Sequence, residues 1–97
     1  MMTVKLKKWD IQDHLKTQED RQTYLEAALE EASDDPVYIA HVLGDIAKSY
    51  GMTKLAQETG LTREGLYKSF GKQGNPSFVT VSKVANALGL KLSFQHL

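Results

Sequence analysis

The clearest pattern of apolar and polar positions begins after residue 35 and continues for nearly four helical turns. Its apolar members recur at the 3.6-residue period of an α-helix and are Ile39, Val42, Leu43, Ile46, Ala47 and Tyr50. Asp35 is suited to the N-cap, Pro36 to the first helical position and Gly51 to the C-terminal end. The pattern predicts one long amphipathic helix with the core on its apolar side.

A second apolar stripe precedes this helix, on a segment rich in acidic residues. Its members stand at helical spacing and are Leu25, Ala28, Leu29 and Ala32. Thr17 and Asp20 have the spacing of a capping box, so a helix is predicted to begin after Thr17. Further upstream, Asp10 can cap a short turn over residues 11–16, and residues 4–9 alternate between apolar and basic side chains.

Two short helices are predicted next, in quick succession. Thr53 can cap a helix over residues 54–59, which Gly60 ends. Thr62 can cap the second helix, over residues 63–70. The glycine between them predicts a tight connection.

A loop and a last helix follow. Residues 71–76 contain two glycines and one proline and predict a loop. Ser77 can cap a helix over residues 78–88, whose predicted inner face consists of Phe78, Val81, Ala85 and Leu88. Beyond Gly89 a short terminal strand is predicted, because polar residues alternate there with Leu90, Leu92 and Phe94. The predicted fold class is all-α, apart from short extended segments at the two ends.

Composition narrows the class of protein. The chain has 97 residues, of which 41% are hydrophobic and 25% charged, and it has no cysteine. This length suits one small domain with an arm and a modest core, which disfavours a large catalytic cleft. Without cysteine there is no disulfide, thiolate nucleophile or zinc knuckle. No apolar run approaches the roughly 20 residues that span a bilayer, and none resembles a signal peptide, so we expect a soluble, cytoplasmic protein without a cofactor.

The charges are distributed unequally along the chain. Residues 1–35 hold five Lys or Arg against nine Asp or Glu, whereas residues 36–97 hold seven against three. This asymmetry favours two surfaces with two kinds of partner, the basic one a candidate for nucleic acid. The alternative is that these charges are ordinary solvated helix faces.

Residues 52–71 have the features of a helix-turn-helix. Such a motif needs a small residue where its helices cross and a turn residue between them, which Ala56 and Gly60 supply. The wedge between the helices would be filled by Leu55, Leu61, Leu66 and Phe70. A generic helical hairpin is the alternative, but the two small residues and the apolar wedge are in register.

These residues also carry a resemblance to a known family. The pattern resembles the Cro/repressor (XRE-like) class, with five helices in a lambda-repressor-like domain. The segment over 62–94, TREGLYKSFGKQGNPSFVTVSKVANALGLKLSF, resembles the HigA-like addiction module antidote proteins, which are encoded beside small RelE/ParE-type toxins. REGLY at 63–67 and GNP at 74–76 are specific as a group, and Trp9 followed by Asp10 matches the family's usual beginning. The resemblance implies an arm over 1–35 and a DNA-binding domain over 36–97.

The resemblance implies roles in DNA binding for the second helix of the motif. Thr62 would meet a phosphate at the helix N-terminus, and Arg63 would read guanine through its O6 and N7 atoms. Tyr67 would stack on a sugar or contact a thymine methyl group, and Glu64 shares the exposed side of the helix. The phosphate-binding candidates are Lys54, Lys68, Lys72 and Asn75.

A single domain of this size contacts one half-site, so a homodimer on an inverted-repeat operator is expected. The dimer candidates are Leu88, Leu92 and Phe94, because apolar positions at this end exceed what a small core needs. The alternative is that Phe94 folds back onto its own domain.

The N-terminal arm is the candidate surface for a small basic RelE/ParE-type toxin. Its candidate residues are Trp9, Ile11, Glu19, Asp20, Glu26 and Glu30, which combine apolar anchors with carboxylates. Alternatively, the apolar stripe packs on the domain and the acids face water. Both interpretations hold if one face of the helix packs on the domain and the other binds the toxin.

The remaining motifs argue against an enzyme. His14, His41 and His96 are scattered, and no carboxylate stands with them at metal-ligand spacing. Phosphate-binding loops and nucleophile elbows are absent from the sequence. The sequence therefore predicts a dimeric antitoxin that represses its own operon. A prophage repressor without a toxin is the second candidate, and an adaptor that binds no DNA is the third.

Overall fold

The computed structural model describes residues 10–97, in which a short 3-10 turn is followed by five α-helices. The turn is Ile11–His14, and the helices are α1 (Gln18–Ala32), α2 (Pro36–Tyr50), α3 (Met52–Thr59), α4 (Arg63–Ser69) and α5 (Phe78–Ala87). Over these residues the structure confirms the predicted all-α class. The predicted C-terminal strand is wrong: residues 90–97 have no regular structure, and residues 10–97 contain no other strand with which they could pair.

The predicted side-chain caps are present at the N-termini of α1, α2, α4 and α5. The Thr17 hydroxyl accepts the Asp20 N–H and the Asp20 carboxylate accepts the Thr17 N–H, which completes the capping box of α1. Asp35 caps α2 through the Tyr38 N–H, and Ser77 caps α5 through the Thr80 N–H. These side chains satisfy amides that lack partners within the helix, so the helix starts are encoded locally.

The start of α3 departs from the sequence prediction. The helix begins at Met52, directly after Gly51, and has no side-chain cap, so Thr53 is not its N-cap. Gly51 has a φ of 115°, which lets it end α2 and start α3 without an intervening residue. Met52 is buried in the core, and its burial favours the earlier start.

One hydrophobic core joins all five α-helices. Its largest fully buried side chains are Val42, Ile46, Leu55, Leu66 and Val84. They belong to α2, α3, α4 and α5, and α1 contributes the buried Ala28. The two short helices of the predicted motif are thus held by the long helix α2 and by α5.

Two predicted inward-facing residues are exposed instead. Phe78 is 65% exposed, while Val84, which the predicted inner face omitted, is fully buried. Ala85, seven residues later and only about 20° away around the helix, is buried, so Phe78 is exposed because the core does not extend to the first turn of α5. On α1, Leu29 is 43% exposed although its neighbour Ala28 is buried.

Polar contacts attach α1 and the 3-10 turn to α2. The Tyr24 hydroxyl donates to the Asp45 carboxylate at 2.9 Å, and the Gln12 side-chain amide donates to the Asp45 carbonyl at 3.0 Å. Arg21 donates to the Ser49 hydroxyl, which itself donates to a backbone carbonyl upstream. The helix of the predicted arm therefore packs on α2; a division at residue 35 stays a prediction.

The contact between Tyr24 and Asp45 predicts a pH dependence of stability. Burial and the hydrogen bond to Asp45 raise the pKa of Tyr24. Because the folded value exceeds the ordinary value of 10.0, the stabilisation is complete below that pH and is lost as the pH rises through the folded pKa. We expect Tyr24→Phe to reduce the loss of unfolding free energy as the pH rises above 10.0, measured by urea unfolding. Identical pH profiles for both proteins would contradict this assignment.

Candidate nucleic-acid interface

The connection between α3 and α4 is short and fixed by local hydrogen bonds. Gly60 has a φ of 77°, in the left-handed region that glycine adopts without strain, and its N–H donates to the Ala56 carbonyl. The Thr59 hydroxyl donates to the Leu55 carbonyl at 2.8 Å and accepts the Leu61 N–H at 3.2 Å. These contacts set the direction in which α4 leaves the turn.

The predicted apolar wedge lies between the two helices and the core. Leu55 and Leu66 are almost completely buried, and Leu61, Phe70 and Ala56 are partly buried against them. Leu66 fixes one side of α4 to the core. The opposite side of the helix is consequently available to a partner.

The exposed face of α4 carries the side chains predicted to read DNA. It consists of Thr62 at the N-cap and of Arg63, Glu64, Tyr67 and Lys68 on the helix. The Arg63 guanidinium carbon lies 5.0 Å from the centre of the Tyr67 ring, and a guanidinium nitrogen of Arg63 donates to the Tyr67 hydroxyl oxygen at 3.5 Å. This cation–π contact limits the directions that the guanidinium can take. Thr62 accepts the Gly65 N–H at 2.9 Å, so its own hydroxyl proton remains available as a donor.

The exposed face of α4 continues into the loop after it. A groove is lined by Tyr67, Lys68, Ser69, Gly71, Gln73, Gly74 and Asn75, so the structure brings together candidates from the helix and from the loop. Lys72 is exposed in the same loop. Neither Lys68 nor Lys72 has a side-chain partner within residues 10–97, so both charges are available to an anion.

Lys54 lies apart from this groove. Its ammonium group is 4.5 Å from the centre of the Tyr50 ring, and the Arg21 guanidinium carbon lies 5.7 Å from the same centre. The Tyr50 hydroxyl donates to Glu58, and this hydrogen bond raises the pKa of Tyr50. Lys54 is thus held at the start of α3 by an aromatic contact.

Two glycines, one in α4 and one in the loop after it, have steric roles that sequence reasoning missed. A Cβ at Gly74 would overlap the backbone carbonyls of Lys68 and Ser69, so only glycine lets the loop approach the end of α4. A Cβ at Gly65 would lie 2.8 Å from the Thr62 hydroxyl oxygen that caps the helix. The recurrence of glycine within REGLY and GNP was the signal in the sequence, but the neighbouring atoms become known only from the fold.

The toxin-binding candidates are in several environments. Trp9 lies outside the described residues, and Ile11 is half-buried in the 3-10 turn. Asp20 caps α1 and accepts the N–H groups of Lys16 and Thr17, which lower the pKa of its carboxyl. The exposed carboxylates of α1 include Glu19, Glu26 and Glu30.

The dimer candidates divide between core and surface. Leu88 is buried in the core, so it is not available to a second chain; its position on the inner face of α5 places it there. Leu92 is 45% exposed and Phe94 is 88% exposed. Phe94 therefore does not fold back onto its own domain.

Comparison with known proteins identifies the family. The model of the family described as "Probable addiction module antidote protein" matches residues 5–96. An uncharacterized protein from Haemophilus influenzae is 44% identical over 95 residues, which cover 98% of this chain and 96% of that protein. The chain belongs to the family of probable addiction module antidote proteins, which suggests an antitoxin role and a toxin partner.

Two further observations complete the description of the chain. No solved structure matches it. Among residues 10–97, every helix is too short or too polar to cross a bilayer.

Gly74 provides a stability test of the loop packing. We expect Gly74→Ala to lower the unfolding free energy by about 1–3 kcal/mol, because backbone must move to admit the methyl group. The neighbouring Gln73→Ala is the matched control, since Gln73 is exposed and its replacement should change stability by less than about 0.5 kcal/mol. Thermal unfolding measures both. Equal stability of the two variants would show that the loop does not pack as described.

Proposed function

We propose that the protein is the antitoxin of a type II toxin–antitoxin module. It binds an inverted-repeat operator as a homodimer through a helix-turn-helix formed by α3 and α4, represses its own operon, and neutralises a RelE/ParE-type toxin by direct binding. The observation that carries the DNA-binding part is the exposed face of α4, whose cationic and aromatic side chains face solvent while Leu66 is buried in the core. Family membership supports the antitoxin part.

The chemistry of the exposed face of α4 suits a major groove. A guanidinium forms two parallel hydrogen bonds with guanine, and Tyr67 restricts the Arg63 guanidinium before DNA is bound. The Thr62 hydroxyl and the N-terminus of α4 suit one phosphate, while Lys68, Lys72 and Asn75 suit others along the backbone. Base reading thus belongs to Arg63 and orientation to the surrounding side chains.

Replacing Arg63 and replacing Lys72 are expected to change the DNA affinity in different ways as the DNA sequence and the salt concentration vary. Arg63→Ala should weaken operator binding by about 1–3 kcal/mol and have a much smaller effect on a scrambled duplex, because it removes a base contact. Lys72→Gln should weaken binding to both duplexes alike and reduce the salt slope by about one unit. Fluorescence anisotropy with the two duplexes, repeated over a salt series, measures both effects. An equal loss on operator and scrambled DNA for Arg63→Ala would contradict its role in base reading.

The dimer part of the proposal is supported by exposed apolar side chains at the C-terminal end. Phe94 is 88% exposed in the C-terminal segment, and Phe78 and Val79 are 65% and 61% exposed on the first turn of α5. A second copy that covers Phe94 would present two α4 helices to successive half-sites. Sedimentation velocity at tens of micromolar is expected to detect a dimer that Phe94→Ser weakens. A monomer at that concentration would contradict this part of the proposal.

The antitoxin part is tested in cells that carry the chain with its own flanking genes. We expect a tagged chain to co-purify with a small basic protein in stoichiometric amount. Expression of that protein alone should arrest growth, and co-expression of the chain should restore it. Recovery of the chain alone, still retarding its upstream DNA in a gel, would instead favour the prophage-type repressor without a toxin.

A further inference from the structure

An apolar groove crosses the surface where α1, α2 and α5 meet the C-terminal segment. Its lining consists of Leu25, Leu29, Ile39, Leu43, Val81, Ala85, Leu90, Lys91, Leu92 and Ser93. Leu43 and Ala85 are buried and form its floor, whereas Leu29 and Leu92 are 43% and 45% exposed and form its rim. We refer to it as the α1–α5 groove.

The α1–α5 groove is large enough to receive side chains. Its volume of about 320 Å³ is near the lower end of protein ligand sites, which suits one or two large apolar side chains better than a cofactor. Leu92 lies in a segment without regular structure, so this rim can adjust to an occupant. Exposed apolar rims of this kind are costly in water unless something covers them.

The charge beside the groove indicates which occupant fits. Leu29 also lines a shallower depression with Thr23, Glu26, Ala27 and Glu30, so apolar and acidic surfaces meet at this residue. Glu30 has no side-chain partner within residues 10–97, and Glu26 accepts only a hydrogen bond from a neutral glutamine of its own helix. The Arg21 guanidinium contacts Ser49 and Tyr50, so it does not neutralise the carboxylates of Glu26 and Glu30. Lys91 is the cation that lines the groove itself.

We propose that the α1–α5 groove anchors the toxin. It receives a large apolar side chain from a toxin segment whose flanking residues are Lys or Arg, and those cations face Glu26 and Glu30. This inference rests on the proposed antitoxin function and specifies which surface performs it. The apolar contact supplies affinity, while the carboxylates favour a basic partner and speed its approach.

A second copy of the chain fits this surface less well. A two-fold contact through this groove places the same patch on both sides, so it brings Glu26 and Glu30 of both copies into one interface. Lys91 can offset part of this charge, but these two acids still outnumber it in each copy. Like charges at an interface are unfavourable, whereas a basic partner supplies cations for them.

The test is a calorimetric titration of the full-length chain with the purified protein encoded beside it. Leu29→Ser should raise the Kd about 10- to 100-fold, because it removes the apolar side of the rim. Val37→Ser is the matched control: Val37 is 67% exposed but lies outside the groove, and its replacement should leave the Kd within about two-fold. Glu26→Gln combined with Glu30→Gln should weaken binding at low salt, with the difference shrinking as salt is raised.

The outcomes separate this inference from the proposed function. If the unaltered chain binds the toxin and Leu29→Ser binds it equally well, the groove is not the anchor, and the antitoxin function stands. If the unaltered chain does not bind that protein, the proposed function fails and the inference fails with it. Leu92→Ser, in a segment outside the helices, is a second variant for the case that Leu29→Ser does not fold. Weakened dimerisation with unchanged toxin affinity in either variant would assign the groove to a second copy.

Discussion

The structure depends on the burial of Leu66, the residue by which the shortest helix is fixed to the core. α4 has seven residues, and helices shorter than about 12–15 residues are marginal in water on their own. Its conformation is therefore maintained by contacts with other elements: Leu66 against the core, the Thr62 cap at its start, and the approach of Gly74 at its end. Arg63, exposed on the first turn of the same helix, keeps a defined direction only while these contacts persist.

Packing against the core on one side likewise gives α1 two different faces. Its inner side is bound to α2 through Tyr24 and Arg21, together with the buried Ala28, so the helix is a part of the packed domain. Its outer side carries carboxylates and the exposed Leu29, neither of which the fold uses. The exposed face of α4 and the outer side of α1 therefore have no residue in common.

Much of the fold was predictable because its signals are local. Asp35, Thr62 and Ser77 cap helices through amides three residues away, and such pairs can be read from spacing alone. The position of Gly60 likewise follows from the need for a left-handed residue in a short turn. Phe78 could not be placed in this way, since a periodic pattern gives the side of a helix but not how far the core extends along it.

Other features depend on atoms distant in the sequence. The requirement for glycine at residue 74 comes from the carbonyls at the end of α4, and the early start of α3 comes from the burial of Met52. The C-terminal strand was predicted from alternation, but alternation specifies a face and does not supply a partner for the backbone. The Arg63–Tyr67 pair lies at i and i+4, a spacing visible in the sequence, yet the contact itself requires the helix.

We propose that one chain carries separate surfaces for DNA and for a toxin. Sedimentation of the chain with a duplex of its upstream DNA and the purified toxin tests this most directly. We expect a single species that contains all three components, because the exposed face of α4 and the α1–α5 groove share no residue. Complete displacement of the duplex by the toxin at equal stoichiometry, with no three-component species at any ratio, would contradict it.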